Sequence, residues 1–222
     1  MSNSDITPLY AMNPLNRFSD RAADYVKYRP SYPDAAIDKI LEGMTPSQLV
    51  AADIGAGTGI SSRQLAQRGV KVLAIEPNAA MREAAEPHPR VEFRDATAEA
   101  TSLPDASVDL VTCFQSFHWF TPEPTMAECH RILKSSGRLA SIWSFGDNSD
   151  RFTAKYGRIV MQAAKPRNTQ TYKENRLNYL LQLSSFLVKY RRALQQWRLS
   201  YLSAFVNVLR GIPYKQDRKS VV

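Results

Sequence analysis

Cysteine is almost missing from this 222-residue chain: Cys113 and Cys129 are its only two. Two are too few for a secreted disulfide scaffold and fit a reducing compartment. Long hydrophobic runs are missing as well, since none approaches the roughly 20 residues of a membrane span. The opening MSNSDITPLYAMNP lacks a basic start followed by an apolar stretch, so no secretory signal is expected and the expected compartment is the cytoplasm. No metal site is assigned. Acidic residues are scarce in one place only. Residues 1–150 hold 14 of the 29 Lys/Arg and 19 of the 21 Asp/Glu, leaving 15 basic and 2 acidic residues for 151–222. The net charge of +8 is therefore carried by the last third. The rest is a mildly acidic, ordinary globular stretch, which argues against a nucleic-acid partner for it.

What is present runs in alternation. LVAADIG (49–55) is a short apolar run ending in glycine, as expected of a buried parallel strand. VKVLAIEP (70–77), VEFRD (91–95), SVDLVTCFQ (107–115) and RLASIWS (138–144) read as further strands. Between them, 33–43, 61–69, 78–86 and 123–137 space apolar residues as helices do, the last being stopped by Gly137. Residue Asn78 is a natural N-cap. Strand and helix in this rhythm predict an α/β fold: a Rossmann-like, doubly wound parallel sheet with helices on both faces.

Four strand ends carry polar residues. Asp53-Ile-Gly55-Ala-Gly57-Thr-Gly59 follows the first strand and opens a helix. Glycines there allow a sharp turn and close approach to a ligand. A dinucleotide fingerprint would need glycine at position 60, which is Ile60, and Asp53 would repel a pyrophosphate. Glu76, ending the second strand, is spaced as an acid that takes both hydroxyls of a ribose. Asp95-Ala96-Thr97 follows the third strand, where a carboxylate can accept from an amino group of adenine; the alternative is a solvated turn acid. The fourth strand runs into Gln115-Ser116-Phe117-His118-Trp119-Phe120, at the edge where open α/β sheets bind ligands.

DIGAGTG, IEPN, DATAE and FQSFHWF together resemble the class I S-adenosylmethionine-dependent methyltransferases, most closely the small-molecule group with the type 11 domain. FSDRAADYVKYRPSYP (18–33) is similar to the opening segment of the trans-aconitate and cantharidin methyltransferase subgroup. The resemblance covers roughly residues 15–165. It implies S-adenosyl-L-methionine as cofactor, with Asp53, Gly55, Gly57 and Gly59 lining its methionine part. Glu76 would take the ribose hydroxyls, with Pro77 and Asn78 flanking the adenosine. Asp95, Ala96 and Thr97 would meet the adenine, and Gln115 the methionine moiety. Tyr25 and Arg29 would belong to an N-terminal lid over the pocket, about 15–33, with Arg29 able to pair with a carboxylate.

The expected activity is methyl transfer to a small-molecule carboxylate or hydroxyl. A proton-bearing acceptor needs a base, and His118 is the candidate; the alternative is that it packs beside Trp119. Trp119 and Phe120 would form a substrate wall, or be core. After the domain at 1–165, residues 166–222 read as a basic amphipathic helical tail, with an apolar stripe from Leu180 to Val208. No convincing sixth and seventh strands follow the fifth, and the expectation is that the final strands are missing and replaced by this tail. The tail would contact its own sheet, a partner protein or an anionic membrane surface. The competing function is a cofactor-binding but catalytically impaired protein acting through that tail.

Overall fold

The computed structural model describes residues 9–11, 19, 22–143 and 151–163. Residues Leu9–Trp143 form one compact unit. The five apolar runs become β1 (Val50–Ile54), β2 (Lys71–Ile75), β3 (Val91–Arg94), β4 (Val108–Phe114) and β5 (Leu133–Ile142). They lie in one sheet in the order β3-β2-β1-β4-β5, and every neighbouring pair is parallel. The two central strands are the most apolar, because helices cover both of their faces. Ala51, Ala52, Ile54, Val108, Leu110 and Val111 are wholly removed from solvent.

Helices α1 (Ala22–Tyr28) and α2 (Asp34–Leu41) precede the sheet; α3 (Ile60–Gln67), α4 (Ala79–Glu83) and α5 (Pro122–Ile132) lie between its strands. Ile37 and Ile40 of α2, Leu65 of α3 and Ile132 of α5 are completely buried, so each helix spends its apolar face on the core. The Asn78 side chain accepts from the Met81 amide at 3.2 Å, as an N-cap should.

The helix expected to run to Gly137 ends earlier. Leu133 is already extended (φ −74°, ψ 136°) and starts β5. The Lys-Ser-Ser that follows has weak helical preference, and pairing with β4 overrides it. Gly137 has a different task. A Cβ there would come within 2.6 Å of Leu133 Cδ2 and 2.9 Å of the Lys134 carbonyl. It sits where the β4–β5 register shifts between Val108 and Leu110, a close approach that only glycine allows.

The parallel order reverses direction at β1, whose neighbours β2 and β4 are reached by opposite connections. In such sheets ligands bind beyond the carboxyl ends of the strands at that switch point. The carboxyl end of β1 is the glycine-rich turn.

Residues 1–8 and 144–222 make up a second unit, in which α6 (Arg151–Ala163) is described. Its Phe152, Tyr156 and Ile159 are exposed. The apolar stripe of the tail and any sixth or seventh strand fall outside the described residues. Among the described residues, no helix is long and apolar enough to cross a membrane.

Candidate functional site

The glycine-rich turn is lashed to its neighbours by main-chain bonds. The Gly55 and Ala56 amides donate to the Ile75 carbonyl at 2.8 and 3.1 Å, and the Glu76 amide donates to the Arg94 carbonyl at 3.1 Å. The Ser116 hydroxyl donates to the Ile54 carbonyl at 2.7 Å, closing β4 onto β1. The carboxyl ends of four strands are thus fixed relative to one another before any ligand arrives.

The three glycines of the turn do different jobs. All three have positive φ, which explains the residue type. A Cβ on Gly55 would meet Ser116 Cβ at 2.7 Å and Phe120 Cζ at 2.8 Å, and one on Gly59 would meet Phe93 Cζ at 2.8 Å. Those two are small because protein packs against them. Gly57 is different: the nearest atom to its Cβ position is Tyr25 Cε1, at 3.9 Å. Gly57 is where the turn leaves room.

Asp53 does not face that room. Its side chain is fully buried, with Oδ2 accepting from Ser61 and Ser62 at 2.7 Å each and Oδ1 from Thr112 at 2.8 Å. Burial raises its pKa, and the three hydroxyl bonds oppose that rise. Asp53 ties the first turn of α3 to β1 and β4 and so fixes the glycine-rich turn from beneath.

Glu76 is the acid that remains available. Oε2 accepts from the Gly57 amide at 2.8 Å and Oε1 from the Asn78 amide at 2.9 Å. A carboxylate oxygen can accept two hydrogen bonds, so each keeps a direction for a hydroxyl donor. Burial raises the Glu76 pKa, opposed first by the Asn78 and Gly57 amides. Asn78 is committed locally: besides capping α4, its Nδ2 donates to Ser19 Oγ at 2.9 Å. Pro77 lies between them, half-buried.

Asp95 stands at the end of β3 with its side chain 70% exposed and Oδ2 held by Arg82 Nη2 at 2.9 Å. Ala96 and Thr97 are half-buried beside it. Gln115 is half-buried at the end of β4 in a left-handed conformation (φ +53°), which a non-glycine residue rarely adopts. Strain of this kind concentrates at ligand sites.

The N-terminal segment is drawn over the same edge. The Tyr32 amide donates to Gln64 Oε1 at 3.0 Å and the Tyr32 carbonyl accepts from Gln64 Nε2 at 2.7 Å. The Tyr32 ring packs on Phe114 at 4.6 Å between centroids. Arg29 lies over the Tyr25 ring, 5.4 Å from its centroid, and hydrogen-bonds the Tyr32 phenol. Burial raises both phenol pKa values.

His118 occupies a short 3-10 turn, Phe117–Trp119, with its ring 4.9 Å from that of Trp119. Burial, and secondarily the Arg29 charge, lower its pKa to about 4. The imidazole is neutral at physiological pH. Trp119 and Phe120 are half-buried, and Phe120 packs edge-on against Phe117 at 6.0 Å. Both cysteines are buried, and burial raises their thiol pKa values. Among the described residues no cluster of three His, Cys, Asp or Glu side chains could hold a metal.

Sequence reasoning missed Ser61, Ser62, Thr112, Ser116, Tyr32 and Arg82. Ser61-Ser62 directly after the turn was a usable signal, being polar where α3 must be buried. Thr112 shows only through the β1–β4 register, which sets it opposite Asp53.

The comparisons with known proteins agree with this geometry. Residues 52–141 match the family model described as a methyltransferase domain. An uncharacterised methyltransferase-like protein of Schizosaccharomyces pombe is 34% identical over 149 residues, 66% of this chain and 58% of its own. The chain thus spans less than two thirds of the length of that curated relative. A candidate type II methyltransferase of Anaeromyxobacter dehalogenans superposes with a TM-score of 0.51 at 31% identity, over 60% of this chain and 56% of its own. A candidate S-adenosylmethionine-dependent methyltransferase of Methanococcus maripaludis shares the fold at TM-score 0.50 and 20% identity, over 95% of this chain and 87% of its own.

Proposed function

We propose that the protein, whose residues 52–141 match a methyltransferase domain, is a class I methyltransferase that uses S-adenosylmethionine to methylate a small-molecule acid. The cofactor supplies an already activated sulfonium methyl, so the protein must bind, align and exclude water. The observation that carries the reading is Glu76, a buried acid joined to the Gly57 amide at 2.8 Å with acceptor capacity left over. The open space above Gly57 and the two free lone-pair directions on Glu76 fit a ribose and the chain attached to it.

In this reading Glu76 takes the ribose hydroxyls, Asp95, Ala96 and Thr97 the adenine, and Gly57 and Gln115 the methionine part. Asp53, Gly55 and Gly59 act by fixing the turn, and Pro77 and Asn78 by shaping the entry to α4. Tyr25 and Arg29 cover the pocket, and Trp119 and Phe120 wall the acceptor. The methyltransferase part extends over 1–165, with 166–222 as an appended tail.

His118 and Arg29 together favour a carboxylate acceptor. A hydroxyl must lose its proton to a base, and an imidazole whose conjugate acid lies at about 4 holds a proton poorly. An ionised carboxylate carries no proton and needs no base. The Arg29 guanidinium is placed to attract it. The likeness of 18–33 to the opening of the trans-aconitate and cantharidin methyltransferases supports the same class. Labelled methyl transfer to panels of small carboxylic acids and of alcohols tests this. Product from acids, diminished in Arg29→Gln, is expected. Product from alcohols alone would overturn the acceptor class.

A further inference from the structure

We propose that Arg82 is a positioning residue that sets the base specificity of the cofactor site, by holding Asp95 so that it reads an exocyclic amino group. This rests on the cofactor reading above. The Arg82 guanidinium bridges two strand ends: Nη1 donates to the Glu76 carbonyl at 2.7 Å and Nη2 to Asp95 Oδ2 at 2.9 Å. A planar fork anchored at one end orients whatever it holds at the other. Its own anchor is firm, because the Arg82 amide donates to the Asn78 carbonyl at 3.1 Å and the Asn78 amide in turn donates to Glu76 Oε1. Glu76, Asn78, Arg82 and Asp95 therefore form one continuous chain across the ends of β2 and β3.

The energetics favour positioning over stabilisation. The Arg82 side chain is 20% exposed and that of Asp95 70% exposed. Ion pairs this open contribute little to folding. An exposed aspartate on a strand end samples several rotamers, and each costs a ligand that needs one of them. With Oδ2 taken by Arg82, Oδ1 is left to accept. A carboxylate oxygen accepts from the amino group of an adenine and opposes the lone pairs of a keto oxygen in its place.

The test is equilibrium titration of the full chain with S-adenosylhomocysteine and with its inosine counterpart, in which a keto group replaces the amino group. The intact protein is expected to prefer the adenosine form by on the order of tenfold, the worth of one charge-assisted hydrogen bond. Arg82→Ala and Asp95→Ala are each expected to reduce that preference to within about threefold, and the double variant no further, as for two residues acting through one contact. Arg82→Lys, which keeps the charge and can reach only one acceptor, falls between. Equal weakening of both ligands by Arg82→Ala, with the preference intact, would make Arg82 merely structural and overturn the proposal. So would an intact protein that binds both ligands equally. An intact, folded protein that binds neither ligand defeats the cofactor reading itself, a separate result from binding without discrimination.

Discussion

The ends of β1 and β4 and the ends of β2 and β3 hold similar side chains and use them oppositely. At β1–β4 the acid, Asp53, is sealed: it is fully buried and bonded by three hydroxyls from α3 and β4, and Gly55 is pressed against Ser116 and Phe120. At β2–β3 the acids use fewer of their acceptor directions: each Glu76 oxygen accepts one backbone amide, and Asp95 accepts from Arg82 on Oδ2. In the proposed function the first pair of strands makes the floor and the second the wall that reads the ligand. A carboxylate at a strand end is thus not a binding group by position alone. What counts is how many of its lone pairs the protein has already used.

Breaking the floor should cost stability most. Asp53→Ala leaves three buried hydroxyls without their acceptor and is expected to lower unfolding free energy by about 3–5 kcal/mol. Urea denaturation measures it; a loss within 1 kcal/mol would show that the acid is not structural. Gly55→Ala is next, at about 2–4 kcal/mol, because its Cβ would overlap Ser116 and Phe120 on a left-handed backbone. Gly57→Ala has the same backbone strain without the overlap, and about 1 kcal/mol is expected. If the two alanine variants melt alike, the contrast between packed and open glycines fails.

Breaking the wall should cost less stability than breaking the floor, about 1–3 kcal/mol for the one backbone amide that Glu76→Gln leaves without an acceptor, and should reach the ligand. Glu76→Gln keeps the size but loses the charge that strengthens a hydroxyl bond, and affinity for S-adenosylhomocysteine should fall on the order of 10- to 100-fold. Calorimetry against a thermal melt separates the two effects.

The smallest effect is a pH slope. His118 has a folded pKa of about 4, below its ordinary 6.5. The unfolded chain therefore binds the proton first as pH falls, so this contribution to stability is intact above 6.5 and lost between 6.5 and 4. His118→Asn should flatten that part of the profile in a denaturation series. An unchanged slope would mean that the imidazole is not desolvated.

The sheet was legible because five apolar runs, each closed by glycine, proline or a polar end, leave few alternatives to a parallel core. The end of α5 was not, since Leu-Lys-Ser-Ser carries no stop signal and only pairing with β4 makes it a strand. Among the site residues, Glu76 and Asp95 were readable as acids at strand ends. Their difference from Asp53 was not. It depends on Thr112, which is 59 positions from Asp53 in the chain, and on which side of the turn each carboxylate faces. Local sequence carries residue type and strand position; it does not carry which donors arrive from elsewhere.

In the proposed function Glu76, and not Asp53, presents its carboxylate to an adenosyl ligand. Calorimetric titration of S-adenosylhomocysteine into the intact protein and into Glu76→Gln tests it most directly. Saturable binding by the intact chain, reduced in the variant at a temperature where both are folded, is the predicted result. Equal affinity in the two proteins, or no heat from the folded intact chain, would contradict it.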